Sequence, residues 1–338
     1  MLNIQEDVFL KDLTTLRVGG PAKYFVCVKN PEELRQALSF AKSRKLPIFV
    51  LGGGSNLLIS DHGFTGLIIK NEIKGIKFTD QVDDTVHVEV GAGESWDDLV
   101  TLSTARKLFG LENLSAIPGT VGGAVVQNAG AYGAELKDSV LSVTGLITNT
   151  GKDFTFKNSD CQYSYRNSIF KKNKKYIIIS IVLVLKKKGV ANINYADLKG
   201  KFAEAKDLTP TQIREAVVAI RQQKLPDWHK VGTAGSFFMN LIMPEKKFLD
   251  LKNKYPDLPG FKNDKGDVKV SLAWVLDKIC HLKGYREGNV GLYEHQALVL
   301  INFGGATEKE ISDFAKIISA KVKEKINLEI KWEVEIVR

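Results

Sequence analysis

The sequence predicts an α+β protein in two parts, and three observations carry that expectation. A helical pattern over residues 31–44 leads into a short apolar strand and a glycine turn. Four further strand-like runs then outnumber the helices through the first two hundred residues. An amphipathic helix opening at Thr209-Pro210 and ending before Pro226 marks a boundary, beyond which the chain has helices and strands of its own.

Taken in order, Asn30-Pro31-Glu32-Glu33 supplies the cap, the first-turn proline and the acids of a helix start, and Leu34, Leu38 and Ala41 share its apolar face. Leu46 to Leu51 is β-type and stops at Gly52-Gly53-Gly54-Ser55-Asn56. The runs Leu67 to Lys70, Thr85 to Val90, Ser139 to Leu146 and Tyr176 to Leu185 read as strands, with a helix from Ser95 to about Lys107. After the boundary helix, in which Ile213, Val217 and Ile220 face one way, a helix is expected around Leu272 to Ile279 and a strand at Ala297 to Phe303. A last helix runs from the capping box of Thr307 and Glu310 to about Lys325. Residues 328–337 alternate Leu328, Ile330, Trp332, Val334 and Ile336 against Glu329, Lys331, Glu333 and Glu335, which predicts a half-buried strand.

With 338 residues, 44% hydrophobic and 26% charged, the chain can bury large cores without disulfide or metal staples. Its three cysteines, Cys27, Cys161 and Cys280, are widely spaced and fit neither a disulfide framework nor a zinc site, so no metal is expected. The N-terminus has early acids and no basic leader, and no apolar run reaches the roughly 18 residues of a membrane span. A cytoplasmic protein is expected. The net charge of +9 suits anionic small molecules as well as nucleic acid. Lys171 to Lys175 and Lys186 to Lys188 flank an apolar run as solubilising strand ends, and no aromatic interleaving marks a nucleic-acid groove.

Glycine lets backbone N–H groups approach a phosphate, and successive amides in such turns form anion-binding nests. Residues 52–56 form one such loop, but no Gly-Lys-Ser/Thr follows and the spaced dinucleotide fingerprint is absent, as it is from Val90-Gly-Ala-Gly-Glu-Ser. A second cluster runs Ile117-Pro118-Gly119-Thr120-Val121-Gly122-Gly123-Ala124 and then Gln127-Asn128-Ala129-Gly130-Ala131-Tyr132-Gly133. Its five glycines are too many for a packed helix or a plain strand. Two such loops favour a phosphate-bearing cofactor; the competing explanation for any one glycine is a close backbone crossing.

Thr14-Thr15-Leu16-Arg17-Val18-Gly19-Gly20-Pro21-Ala22, Leu51 to Asn56 and the Pro118 to Gly133 block resemble, in order, the FAD-binding half of the UDP-N-acetylenolpyruvoylglucosamine reductase (MurB) family. Val125 stands where that family's pattern has a proline. The resemblance implies an FAD-binding PCMH/vanillyl-alcohol-oxidase-like fold in two subdomains, about 1–72 and 73–224, and a C-terminal α+β substrate domain, 225–338. It implies non-covalent FAD with its diphosphate on Gly52, Gly53, Gly54, Ser55, Asn56, Pro118, Gly119, Gly122, Gly123, Asn128 and Gly130. It further implies NADPH as hydride donor, UDP-N-acetylglucosamine enolpyruvate as substrate, a role in peptidoglycan precursor synthesis, and a monomer with no nucleic-acid or membrane partner.

Hydride added to the outer enolpyruvyl carbon leaves charge spread into the carboxylate, so the site needs donors on that carboxylate and an acid for the inner carbon. Tyr165-Arg166-Asn167-Ser168-Ile-Phe170-Lys171 resembles the family's arginine motif, and Arg166 is the match. Its fork suits a carboxylate better than a lysine would. Gly232-Thr-Ala-Gly235-Ser236-Phe237-Phe238-Met239-Asn240 resembles the proton-donor signature and assigns Ser236, although Met239 and Leu241 depart from the lysine and proline common there. The C-terminal Glu-Val step assigns Glu333, with Glu335 as the alternative two residues on. Substrate contacts implied by similarity are Tyr195, which looks like the type I form, with Lys224, Asn240, Lys283 and Gln296. An oxidase of the same flavin fold and a catalytically silent nucleotide-sugar binding protein are the competing functions. Neither would need Ser236.

Overall fold

The computed structural model describes residues 2–263 and 265–338. The chain divides into two compact units, and neither is continuous in sequence. The first holds residues 2–8, Ala22–Gly54 and Thr65–Arg221; the second holds Phe9–Pro21, Ser55–Phe64 and Gln222–Arg338. Phe9–Pro21 and Ser55–Phe64 cluster with the C-terminal residues.

In the first unit a four-stranded sheet has the order Gln5–Phe9, Pro21–Val28, Phe64–Asn71, Ile48–Leu51. The helix Pro31–Ser43 starts where expected, because the Asn30 side chain accepts from the Glu33 N–H at 2.9 Å. Its Leu34, Ala37, Leu38 and Ala41 pack on Val26, Val28, Leu67 and Ile69 of that sheet. The parallel pairing of Ile48 with Leu67 brings the Gly52 turn out at one sheet end.

The second sheet of this unit is antiparallel, in the order Asp153–Lys157, Val140–Ile147, Tyr176–Lys186, Thr85–Gly91, Ile76–Asp80. Period-two burial puts Ile181, Leu183 and Leu185 opposite Val86, Val88 and Val90, over Trp96 and Leu99 of the helix Trp96–Ala105. Each such aliphatic side chain contributes about 1.5–3 kcal/mol relative to exposure.

One expectation fails here. Val121–Gln127 is a helix despite holding Gly122 and Gly123. Thr120 caps it by accepting from the Gly123 N–H, and Asn128 ends it in the left-handed conformation at φ 46°. Gly122 packs closely there: a Cβ on it would lie 3.0 Å from the Ala92 Cβ. Close packing offsets the low helix propensity.

The second unit contains a four-stranded sheet, Gly232–Ser236, Val299–Asn302, Val290–Leu292, Arg286–Glu287, and a three-stranded one, Leu241–Pro244, Asp267–Val270, Gly260–Lys262. The helix Glu308–Ile326 begins with the expected Thr307–Glu310 capping box and buries Ile311, Phe314, Ile318 and Val322. The expected helix Leu272–Ile279 is a short α turn, Leu272–Trp274, widening into π geometry over Val275–Ile279.

The expected strand 328–337 is paired as a strand only over Glu335–Val337, parallel to Leu57–Ile59. Upstream, Lys331 O accepts from Met239 N–H and Glu333 N–H donates to Phe237 O, so the alternating stretch serves two partners. A bend at Val334 separates them and turns the faces over, leaving Ile336 41% exposed and Val337 3% exposed. Among the described residues, no helix is long and apolar enough to cross a membrane.

Candidate functional site

In the first unit the glycine segments meet backbone to backbone. A Cβ on Gly53 would lie 2.5 Å from the Gly119 Cα, and one on Gly52 would lie 2.6 Å from the Thr120 Oγ1. Residues 92–96 pair with the same segment: Trp96 N–H donates to Gly119 O at 3.0 Å, and the Val121 and Gly122 N–H groups donate to Glu94 O and Ala92 O. Gly54 turns at φ 65°, the alternation that makes successive amides concave toward an anion. The donor chemistry and the Cβ-free approach of residues 52–54 fit the diphosphate of FAD. Gly122 acts by close packing, since its amide is committed to Ala92.

Lys70 was not singled out from sequence. It follows Leu67-Ile68-Ile69 in the strand Phe64–Asn71, and its Nζ donates to the Gly52 carbonyl at 2.8 Å, fixing the turn. Burial pushes its ammonium below the ordinary lysine range, partly opposed by Glu72. A lysine directly after the apolar run Leu67 to Ile69 was the available signal.

Gly53→Ala should separate the two loops, weaken FAD binding at least about tenfold and destabilise the protein by roughly 1–3 kcal/mol, the usual range for overpacking. FAD titration and urea unfolding measure the two effects. Parent-like FAD affinity would show that the loop contact is dispensable.

The Arg166 motif is held by the C-terminal end of the glycine helix. Ser164 and Asn167 exchange two backbone hydrogen bonds at 3.0 Å, so Tyr165 and Arg166 form the tip of a tight turn, with Arg166 at φ 53°. The guanidinium donates to Gly130 O at 2.5 Å, and Lys171 Nζ donates to the Arg166 carbonyl at 3.2 Å. Ser168 Oγ donates to Val126 O at 2.7 Å.

Asn128, expected to contact the cofactor, is fully buried. Both amide donor bonds, to Glu135 Oε2 and Ser164 O, and the acceptor bond from the Lys137 N–H go to protein groups. Through these bonds the Asn128 side chain fastens the Arg166 turn to the glycine helix.

Arg221 and Tyr132 also escaped the sequence reading. Arg221 Nε donates to Ala116 O at 3.2 Å, and its guanidinium meets the Tyr132 hydroxyl. Desolvation pushes the Tyr132 hydroxyl up to about 12 against the opposing Arg221 charge. Tyr195 packs edge-on against Tyr132, ring centres 5.2 Å apart.

In the second unit Ser236 ends the strand Gly232–Ser236 beyond an irregularity in its pairing with Val299–Asn302. Gly235, at φ 70° with open space around its Cα, forms that bulge and aims Ser236. The next residue, Phe237, is fully buried against Trp332, and its carbonyl accepts from the Glu333 N–H at 2.8 Å. That backbone bond places Ser236 and Glu333 on neighbouring segments of this unit. Asn56 Nδ2 donates to the Glu333 carbonyl at 3.2 Å, and Asn56 O accepts from the Glu335 N–H at 3.0 Å. Asn56 therefore fastens the C-terminal segment with its side-chain nitrogen, and the Glu335 backbone joins the parallel strand pair.

The other expected residues are less concentrated. Asn240 Oδ1 accepts from the Leu272 N–H at 3.0 Å, fixing a helix start, and Gln296 Oε1 accepts from the Leu298 N–H at 3.4 Å. Lys283 lies 3.9 Å from Asp277, and Lys224 ends the helix Pro210–Lys224.

Residues 22–156 match the family model of an FAD binding domain, and residues 226–337 match the UDP-N-acetylenolpyruvoylglucosamine reductase C-terminal domain. With an α+β fold and an FAD binding domain, the chain is an FAD-dependent oxidoreductase. It is 38% identical over 341 residues to the UDP-N-acetylenolpyruvoylglucosamine reductase of Flavobacterium johnsoniae, covering 99% of this chain and 100% of the relative. The Neisseria gonorrhoeae reductase is 38% identical over 330 residues, 95% of each chain. The crystal structure of the Thermus caldophilus reductase (MurB) superimposes with a TM-score of 0.70 at 25% identity, with both chains covered in full. The chain belongs to the UDP-N-acetylenolpyruvoylglucosamine reductase family.

Proposed function

We propose that this protein reduces UDP-N-acetylglucosamine enolpyruvate to UDP-N-acetylmuramate in peptidoglycan precursor synthesis, with NADPH as hydride donor and non-covalent FAD. The observation that carries the reading is the Gly235–Ser236 bulge, with Phe237 O accepting from the Glu333 N–H, in a chain whose Gly52-Gly53 turn approaches Gly119 and Thr120 with no Cβ of its own. Bound FAD supplies the hydride relay between NADPH and the enolpyruvyl double bond.

Gly52, Gly53, Gly54, Ser55, Pro118, Gly119, Gly123 and Gly130 would hold the cofactor, the first turn supplying amide donors suited to a diphosphate. Arg166 holds the substrate carboxylate through its fork, pre-set by Gly130 and Lys171. As hydride adds to the outer carbon, the double-bond pair moves toward the carboxylate, and Ser236 delivers its proton to the inner carbon. Glu333 is the second acid–base group at this centre. Tyr195 closes over the sugar nucleotide, with Lys224 and Lys283 on its phosphates and Asn240 and Gln296 on its polar edges. These soluble nucleotide partners suit a cytoplasmic monomer without nucleic-acid or membrane partners, supporting cell shape and division through wall synthesis.

The test is an anaerobic absorbance spectrum. Oxidised flavin bands should bleach on adding NADPH and return on adding the enolpyruvyl sugar nucleotide. Bands that stay bleached reject the substrate, and protein that binds no FAD rejects the cofactor cradle.

A further inference from the structure

Ala116 immediately precedes the Ile117 to Thr120 segment and adopts φ 57°, a left-handed conformation that a side chain with a Cβ resists. Its peptide groups are gripped on both sides. The Ala116 N–H donates to Asp97 Oδ1 at 2.5 Å, and the Ala116 carbonyl accepts from Arg221 Nε at 3.2 Å. Asp97 is itself fixed by a two-pronged bond from Arg214, Nη1 to Oδ1 at 2.6 Å and Nη2 to Oδ2 at 2.9 Å. Arg214 and Arg221 lie seven residues apart on the helix Pro210–Lys224, two turns along one face.

That geometry is more than a surface ion pair requires. The Arg214 side chain is 16% exposed and that of Asp97 34% exposed, and the planar fork leaves Asp97 little freedom to turn away from Ala116. Burial alone would raise the Asp97 carboxyl, but the Arg214 bonds and the Ala116 N–H outweigh it and hold it below the ordinary range. Asp97 therefore stays an acceptor at neutral pH. Asp97 also stands in the first turn of the helix Trp96–Ala105, whose Trp96 N–H holds Gly119 O. One short stretch thus fixes both ends of the Ala116 to Gly119 segment.

We propose that Asp97, anchored by Arg214, is a positioning residue for the FAD loop: it locks Ala116 in its left-handed conformation and so presents Ile117 to Thr120, against Gly52 and Gly53, in the form that takes the cofactor. The proposal rests on the FAD assignment made above. It makes cofactor affinity depend on a carboxylate one peptide removed from the loop, with no contact between that carboxylate and the flavin nucleotide.

The experiment is FAD titration of the deflavinated full chain, with thermal unfolding of the same samples. Asp97→Asn keeps the size but removes the charge and puts an amide donor where Oδ2 accepts from Arg214 Nη2; with the two-pronged anchor gone, the grip on Ala116 loosens and the FAD dissociation constant should rise about tenfold. Glycine adopts a left-handed φ without steric cost. Adding Ala116→Gly to Asp97→Asn should therefore restore FAD affinity while leaving the unfolding temperature lowered by the loss of the two-pronged Arg214–Asp97 ion pair. Damage that was merely structural would not be rescued at 116. Arg214→Lys offers a milder variant should Asp97→Asn not fold, with the same expected rescue. Parent-like FAD affinity in either single variant, or affinity that Ala116→Gly fails to restore, would overturn the proposal. Parent protein that binds no FAD would instead remove the cofactor assignment beneath it.

Discussion

Ser236→Ala should leave NADPH-driven flavin reduction within about twofold of the parent, while reoxidation by the enolpyruvyl sugar slows by roughly 10²–10⁴, the usual contribution of a positioned general acid. The asymmetry follows from where the proton enters. Hydride transfer from NADPH needs nothing at the inner enolpyruvyl carbon, whereas completing reduction of the double bond does. The substitution itself is conservative: the backbone of residue 236 is set by the Gly235 bulge and by the Phe237 N–H bond to Leu298 O, and neither involves the hydroxyl. Anaerobic stopped-flow traces of the two half-reactions separate the effects. Equal losses in both halves would sink the assignment of Ser236 as proton donor.

Arg166→Lys should fold and bind FAD, yet slow the same reoxidation by about 10²–10³, the loss seen when one preorganised donor to a developing anion is removed. Lysine keeps the charge but has no planar fork, so it cannot bond Gly130 O and present two further parallel donors to a carboxylate. The turn that carries residue 166 survives, because it is held by backbone bonds between Ser164 and Asn167, by Asn128 and by Lys171. Turnover like the parent's would remove Arg166 from the chemistry.

Periodicity and capping were legible in the sequence wherever one local pattern met one partner. The helix Pro31–Ser43, the strand Tyr176–Lys186 and the Thr307 capping box lie within a residue or two of expectation, since burial of one face and a single cap decide them. The candidate residues were legible as motifs, but what each touches was not. Asn128 sits in a motif otherwise read as cofactor-binding, yet its side chain is occupied by Ser164, 36 residues away, and Glu135. Asn56 reaches Glu333 across 277 residues. No local signal encodes such pairs.

By itself, then, the sequence determined the α+β class, the principal helices and strands, and the order of the glycine, arginine and serine motifs, because local hydrophobic period and turn chemistry are written in neighbouring residues. Tertiary structure decided the rest. It made a helix of Val121–Gln127, because Gly122 packs within reach of Ala92 and the contact outweighs glycine's poor propensity. It also split the last alternating stretch at Val334, because residues 331–333 and 335–337 find their hydrogen-bond partners on segments far apart in the chain. Backbone groups must be paired wherever they are buried, and which distant segment pairs them is settled only when the whole core has assembled.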